Sequence, residues 1–185
     1  MREARDRYCR LAVETHDLEF GGLMPSGRSR RARPVRSEFA LIRRLQAQAA
    51  KPDRQVAIGI GDDTAVIKTS STEWTLMTTD LLAEGVHFDL ATSSYEDIGY
   101  RAAIANLSDI AAMGGAPRFM LVSVAIPSTC STTQIHQLYR GMMRASAPYR
   151  VCLVGGDTSA SKHGLFLSIT LTGVERADAD LDQAI

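Results

Sequence analysis

Four aspartate sites stand where folding alone would not put them, each in or beside an apolar or glycine-rich run: Gly61-Asp62-Asp63, Thr78-Thr79-Asp80, Ser108-Asp109 and Gly155-Gly156-Asp157. Carboxylates are almost never buried unless they are paired or coordinate a metal. A set carried by hydrophobic segments points to a hard cation with oxygen ligands, magnesium above all, and to phosphate. General acidity is not the source of this signal, because 21 Lys and Arg balance 21 Asp and Glu.

Asp109 is the sharpest case. The predicted helix around it is apolar on nearly every side, and Asn106, three residues earlier, shares its face. Such a carboxylate needs either a metal or a hydrogen-bonding or ionic partner, with Arg101 and Arg118 as candidates. Gly61-Asp62-Asp63 reads either as a turn or as a ligand loop; Asp63 is the better ligand, because it adjoins the next apolar strand. Thr78-Thr79-Asp80 offers two hydroxyls and a carboxylate at the predicted end of a strand, suited to a magnesium that keeps waters and shares phosphate oxygens. The competing reading is a helix N-cap at Asp80. His87 stands between apolar residues in Gly85-Val86-His87-Phe88, where a lone histidine is usually structural.

Gly155-Gly156-Asp157-Thr158 follows apolar Val151 to Val154, and glycines at a strand end let backbone N–H groups approach a phosphate. The run is neither G-x-x-x-x-G-K-[ST] nor G-x-G-x-x-G, so the common nucleotide folds are disfavoured. No Ser-His-Asp or Cys-His arrangement is suggested by spacing. Phosphoryl transfer does not need one, since positioning and charge stabilisation supply most of its catalysis.

These residues need elements to hold them. Ser37 reads as an N-cap before an amphipathic helix with Leu41, Leu45 and Ile42 on one face, and the folded domain is expected to begin there. Strands are predicted over Val56 to Ile60, Ala65 to Ile67, Trp74 to Thr79, Phe119 to Ile126, Val151 to Val154 and Leu165 to Val174. Helices are predicted from Tyr95 to Met113, stopped by Gly114-Gly115, and from Thr132 to Ala147. This alternation predicts an α/β (α+β) domain with a mixed sheet packed by helices.

At 185 residues the chain supports one core of ordinary size. Residues 1–54 hold 13 Lys and Arg against 7 Asp and Glu, and the remainder holds 8 against 14, an acidic body behind a basic head. Residues 1–36, with the basic string Arg28 to Arg36, read as an extension of weak order, and residues 37–185 as the domain. The string contains no aromatic residue for base stacking, so no nucleic-acid partner is expected. Cys9, Cys130 and Cys152 form neither a disulfide framework nor a C-x-x-C pair, which fits a reducing cytoplasm. No apolar run approaches the roughly 18 to 20 residues of a bilayer span, so no membrane partner is expected either.

Taken in order, Glu38-Phe39-Ala40-Leu41-Ile42, Gly59-Ile60-Gly61-Asp62-Asp63, Thr79-Asp80-Leu81-Leu82 with Glu84-Gly85-Val86-His87-Phe88, Asn106-Leu107-Ser108-Asp109-Ile110-Ala111-Ala112-Met113-Gly114 and Gly155-Gly156-Asp157-Thr158 resemble the thiamine-monophosphate kinase family. The resemblance covers about residues 37–174. It implies the amino-terminal domain of the aminoimidazole ribonucleotide synthetase-like superfamily, with sheets pairing across a homodimer. It also implies magnesium-dependent transfer of phosphate from ATP onto thiamine monophosphate, giving thiamine diphosphate. By motif position Asp63, Thr78, Thr79, Asp80, Asp109 and Asp157 would be magnesium ligands and His87 would contact the substrate. Gly156 and Asp157 would lie at the ATP phosphates, and Tyr139 would meet the nucleotide.

Two departures accompany the resemblance. The family continues into a second domain, whereas this sequence stops at Ile185, and Arg176 to Asp182 replaces an expected basic stretch. A truncated chain, a broken reading frame and a single-domain relative all stay open, and each predicts weak or absent kinase activity in isolation. The alternative of another class is a catalytically silent dimerisation or nucleotide-binding module.

Overall fold

The computed structural model describes residues 37–49 and 53–176, so the expectation for residues 1–36 lies outside the described residues. Helix α1 (Glu38–Gln48) starts at Ser37, whose hydroxyl accepts from the Ala40 N–H, as the N-cap reading expects. Three short-to-long antiparallel strands follow: β1 (Val56–Ile58), β2 (Ala65–Lys68) and β3 (Glu73–Ala83). Helix α2 (Tyr95–Ala112) leads to β4 (Ala116–Pro127), and α3 (Thr132–Ser146) with a short 3-10 turn leads to β5 (Cys152–Ser161) and β6 (Phe166–Arg176).

The six strands form one mixed sheet in the order β1-β2-β3-β6-β4-β5. β6 is antiparallel to both β3 and β4, so β3-α2-β4 is a split crossover with β6 inserted between its strands. β4-α3-β5 is a parallel crossover, for which an intervening helix is the usual solution. α2 lies in contact with β3, β4 and β6, and α3 packs along α2. The core between helices and sheet includes Trp74, Leu76, Leu82, Ile98, Ala102, Ile110, Met120, Val122, Leu167, Ile169 and Leu171.

Helix boundaries follow from local chemistry. Ser94 and Ser131 cap α2 and α3, the second in a reciprocal capping box with Gln134. Gly114, at φ 71°, ends α2 in the left-handed conformation that glycine adopts without a Cβ penalty. The two helices approach through their backbones: a Cβ on Gly99 would lie 1.9 Å from the Leu138 carbonyl oxygen, and one on Gly141 would lie 1.8 Å from that of Glu96. Ala102 and Ala103 of α2 are buried in the core cluster.

Three expectations change. β3 does not stop at Asp80 but pairs with β6 from Glu73 to Ala83, so Asp80 is a mid-strand residue and not a helix N-cap. β5 likewise runs through Gly155-Gly156-Asp157, because Gly156 lets the chain pass where a Cβ would sit 1.8 Å from the Val122 carbonyl oxygen. Finally, α1 buries none of its residues among the described ones, and Phe39, Leu41 and Leu45 are exposed. The sheet face opposite α2 is also open, carrying exposed Met77, Leu81, Phe119, Leu121 and Val154.

Candidate phosphate and metal site

Strand alternation decides which of the chemically interesting residues can meet. Thr78 and Asp80 share the face of β3 that carries buried Trp74, Leu76 and Leu82, and α2 lies over that face. Asp109 of α2 reaches β3, where the buried Thr78 hydroxyl donates a 2.6 Å hydrogen bond to its Oδ2. Neither arginine weighed as its partner takes that role: Arg101 donates to the His87 carbonyl oxygen at 2.9 Å, and Arg118 pairs with Glu73 at 3.5 Å. Among the described residues, no ion pair reaches Asp109.

Asp80 has its carboxyl pushed above the ordinary carboxylate range, first by burial and then by the negative charge of Asp109, with His87 acting in the opposite direction. The charged form of Asp80 therefore costs stability in the metal-free fold at neutral pH. Because the folded carboxyl takes up its proton before the unfolded one, this cost is relieved as pH falls through the raised value. Asp80→Asn is accordingly expected to raise the melting temperature of the metal-free protein at about pH 7, with the advantage shrinking toward about pH 4. Scanning calorimetry across that range decides the matter; a variant no more stable than wild type at neutral pH would contradict the electrostatic reading.

The loop after β3 presents His87 beside this pair. Val86 and His87 N–H groups both donate to the Ala83 carbonyl, and Gly85 turns the chain at φ 77°. The Ala83 N–H donates to His87 Nδ1 at 3.0 Å, so the neutral ring carries its hydrogen on Nε2. Glu84 anchors the loop from the other side, its Oε2 accepting from the Leu165 N–H at 2.8 Å. Asp80, Leu81, Leu82, His87, Arg101 and Ala105 line an open cleft of about 330 Å³.

The remaining candidates lie elsewhere. Thr79 projects from the opposite face of β3, where its hydroxyl donates to the Ile169 carbonyl and accepts from Thr170. Asp157 is on that open face too, lining a smaller cleft of about 170 Å³ with Leu81, Ser123, Phe166 and Ser168. Asp63 is exposed two residues before Ala65, whose partner on β3 is Met77. Tyr139 sits half-buried on α3 against the core and lines neither cleft; burial pushes its hydroxyl pKa up. Gly156 is an interior residue of β5. The structure thus unites Thr78, Asp80 and Asp109, sets His87 beside them, and keeps Thr79 and Asp157 on the other side of the sheet. Sequence reasoning missed the role of Arg101, which it considered only as a partner for Asp109, and the anchoring by Glu84.

The donor set of Asp80, Asp109 and Thr78 consists of hard oxygens, and two like-charged carboxylates beside one another fit a divalent cation. Among the described residues, no three His, Cys, Asp or Glu side chains gather closely enough to hold an ion by themselves. That composition suits magnesium, which is commonly held by one or two carboxylates with waters and substrate phosphates completing its octahedron.

Fold and site together define a mixed α/β domain in which a strand and the helix crossing it bring two carboxylates and a hydroxyl close together, with Asp80 lining an open cleft. The sequence profile of AIR synthase related protein, N-terminal domain, matches residues 61–174, and the chain belongs to this family. It is 40% identical over 145 residues to the thiamine-monophosphate kinase of Bacillus subtilis, covering 78% of this chain and 44% of that protein. Against the thiamine-monophosphate kinase of Rhodopirellula baltica it is 42% identical over 126 residues, covering 64% and 40% respectively. The solved structure of AaThiL complexed with AMPPCP and TMP superposes with a TM-score of 0.66 at 35% identity, covering 74% of this chain and 41% of that one. The chain thus spans less than half the length of these relatives.

Proposed function

We propose that this chain is the magnesium- and nucleotide-binding part of an ATP-dependent kinase that phosphorylates thiamine monophosphate to thiamine diphosphate. The observation that carries the reading is the Thr78–Asp109 hydrogen bond beside Asp80, next to the cleft that contains His87. The similarity to thiamine-monophosphate kinases over most of the described residues supports the same chemistry. Asp80 and Asp109 hold magnesium in this reading, and Thr78 orients Asp109. When bound, the metal supplies charge screening between the ATP phosphates and the acceptor phosphate. His87, with hydrogen on Nε2, donates to the substrate. No general base is required, because the acceptor phosphate oxygen is already ionised near neutral pH.

By motif position Asp63, together with Thr79 and Asp157 from the opposite face of the sheet, would serve further magnesium rather than the ion held by Asp80 and Asp109, with Gly156 and Asp157 at the ATP phosphates and Tyr139 at the nucleotide. A homodimer formed through the open sheet face is part of the proposal; exposed Met77, Leu81, Phe119, Leu121 and Val154 are the apolar surface that a second copy would cover. A reducing cytoplasm is the proposed setting. The test incubates the chain with ATP, magnesium and thiamine monophosphate and follows thiamine diphosphate and ADP. Product formation supports the kinase reading, magnesium-dependent ATP binding without product favours a silent module, and absence of both overturns the proposal.

A further inference from the structure

The cleft is lined by groups of unlike chemistry: the Asp80 carboxylate, the Arg101 guanidinium and the His87 imidazole. Arg101 is an exposed residue of α2, and one of its five N–H donors goes to the His87 carbonyl. Among the described residues no carboxylate pairs with it, whereas Arg118 is paired with Glu73 and Arg144 with Glu96 and Asp97. Among the described residues its guanidinium thus makes no direct ion pair, in a cleft that His87, with the hydrogen of its neutral ring on Nε2, also lines.

We propose that Arg101 is a specificity-determining residue of this site: its guanidinium, with the His87 Nε2–H, binds the phosphate of the acceptor and selects a phosphate monoester over the corresponding free alcohol. The inference rests on the functional reading above and adds the group that reads the acceptor's charge. A guanidinium is suited to this because its planar fork presents parallel donors to two phosphate oxygens, which an ammonium cannot do. The hydrogen bond from Arg101 to the His87 carbonyl fixes the two donors relative to one another, so the anion site is assembled before the ligand arrives. A phosphate held there has its remaining oxygens free to meet the magnesium proposed at Asp80, which lines the same cleft. The cation selects the acceptor, and the carboxylates hold the metal that screens it.

The test measures binding of thiamine monophosphate and of thiamine to the chain with magnesium present, by ligand-observed NMR titration, for wild type, Arg101→Met and Arg101→Lys. Wild type is expected to prefer the phosphorylated ligand by about tenfold or more, as charge-assisted hydrogen bonds warrant. Arg101→Met is expected to lose that preference while keeping magnesium affinity, and Arg101→Lys to recover part of it. A preference that survives in Arg101→Met overturns the inference. So does an equal fall in the affinity of both ligands accompanied by shifted His87 ring resonances, which would mean that Arg101 only fastens the loop. Loss of magnesium binding in wild type is a different result and would instead overturn the functional reading.

Discussion

Asp109→Asn is expected to abolish magnesium-dependent nucleotide binding while leaving the fold intact. The substitution keeps shape and keeps an oxygen that can accept from the Thr78 hydroxyl, so the contact between α2 and β3 survives. What disappears is the charge. Removing even outer partners of metal ligands costs about 10- to 100-fold in metal affinity, and loss of an ionised ligand is expected to reach at least the upper figure. The same change removes one of the influences that raise the Asp80 carboxyl, so Asp80 should ionise more readily in the variant. Circular dichroism and thermal melting check the fold, and calorimetric titration with magnesium and ATP checks the site. A variant that binds as wild type does would remove Asp109 from the metal.

Gly141→Ala is expected to destabilise the fold severely, although it adds a single methyl group. The new Cβ would lie 1.8 Å from the Glu96 carbonyl oxygen and 2.8 Å from the Tyr100 nitrogen, both backbone atoms with no rotamer to yield. α2 and α3 must separate, against a contact that also includes the Arg144 ion pairs to Glu96 and Asp97 and its stacking 4.8 Å from the Tyr100 ring centre. Overpacking of this kind costs about 3 kcal/mol or more, a fall in melting temperature of roughly 6 to 12 °C for a domain of this size. Gly59→Ala is the control, because its nearest neighbour is the Val56 side chain at 3.7 Å and its φ is not positive. Thermal melts of the two variants should differ sharply; a Gly141→Ala protein melting with wild type would contradict the backbone-contact account. The helix displaced by this change carries both Arg101 and Asp109, so stability and site are coupled through one glycine.

Much of this architecture is legible in the sequence because caps and glycine stops are local. Ser37, Ser94-to-Asp97 and Ser131-to-Gln134 announce helix starts, and Gly114 announces an end. Asp80 and Asp157 defeat the same reasoning. A carboxylate or a glycine pair interrupts an apolar run and so reads as a strand end, yet β3 continues because β6 pairs with its whole length, and β5 continues because β4 does the same. Those pairings are long-range and leave no local mark. The alternation that separates Thr78 and Asp80 from Thr79 is legible once β3 is known to run through them. The facing of Asp157 requires the sheet order, in which β6 and β4 stand between β3 and β5. Arg101 belongs to the same class of missed feature, since its hydrogen bond joins it to a carbonyl 14 residues away on a different element.

The central claim is that Asp80 and Asp109 form a magnesium site for a nucleotide. Calorimetric titration of ATP into the wild-type chain, with and without magnesium, and repeated in Asp109→Asn, addresses it most directly. Binding that requires magnesium in wild type and is lost in the variant is the predicted result. ATP binding that is indifferent to magnesium, or that persists undiminished without the Asp109 carboxylate, would contradict it.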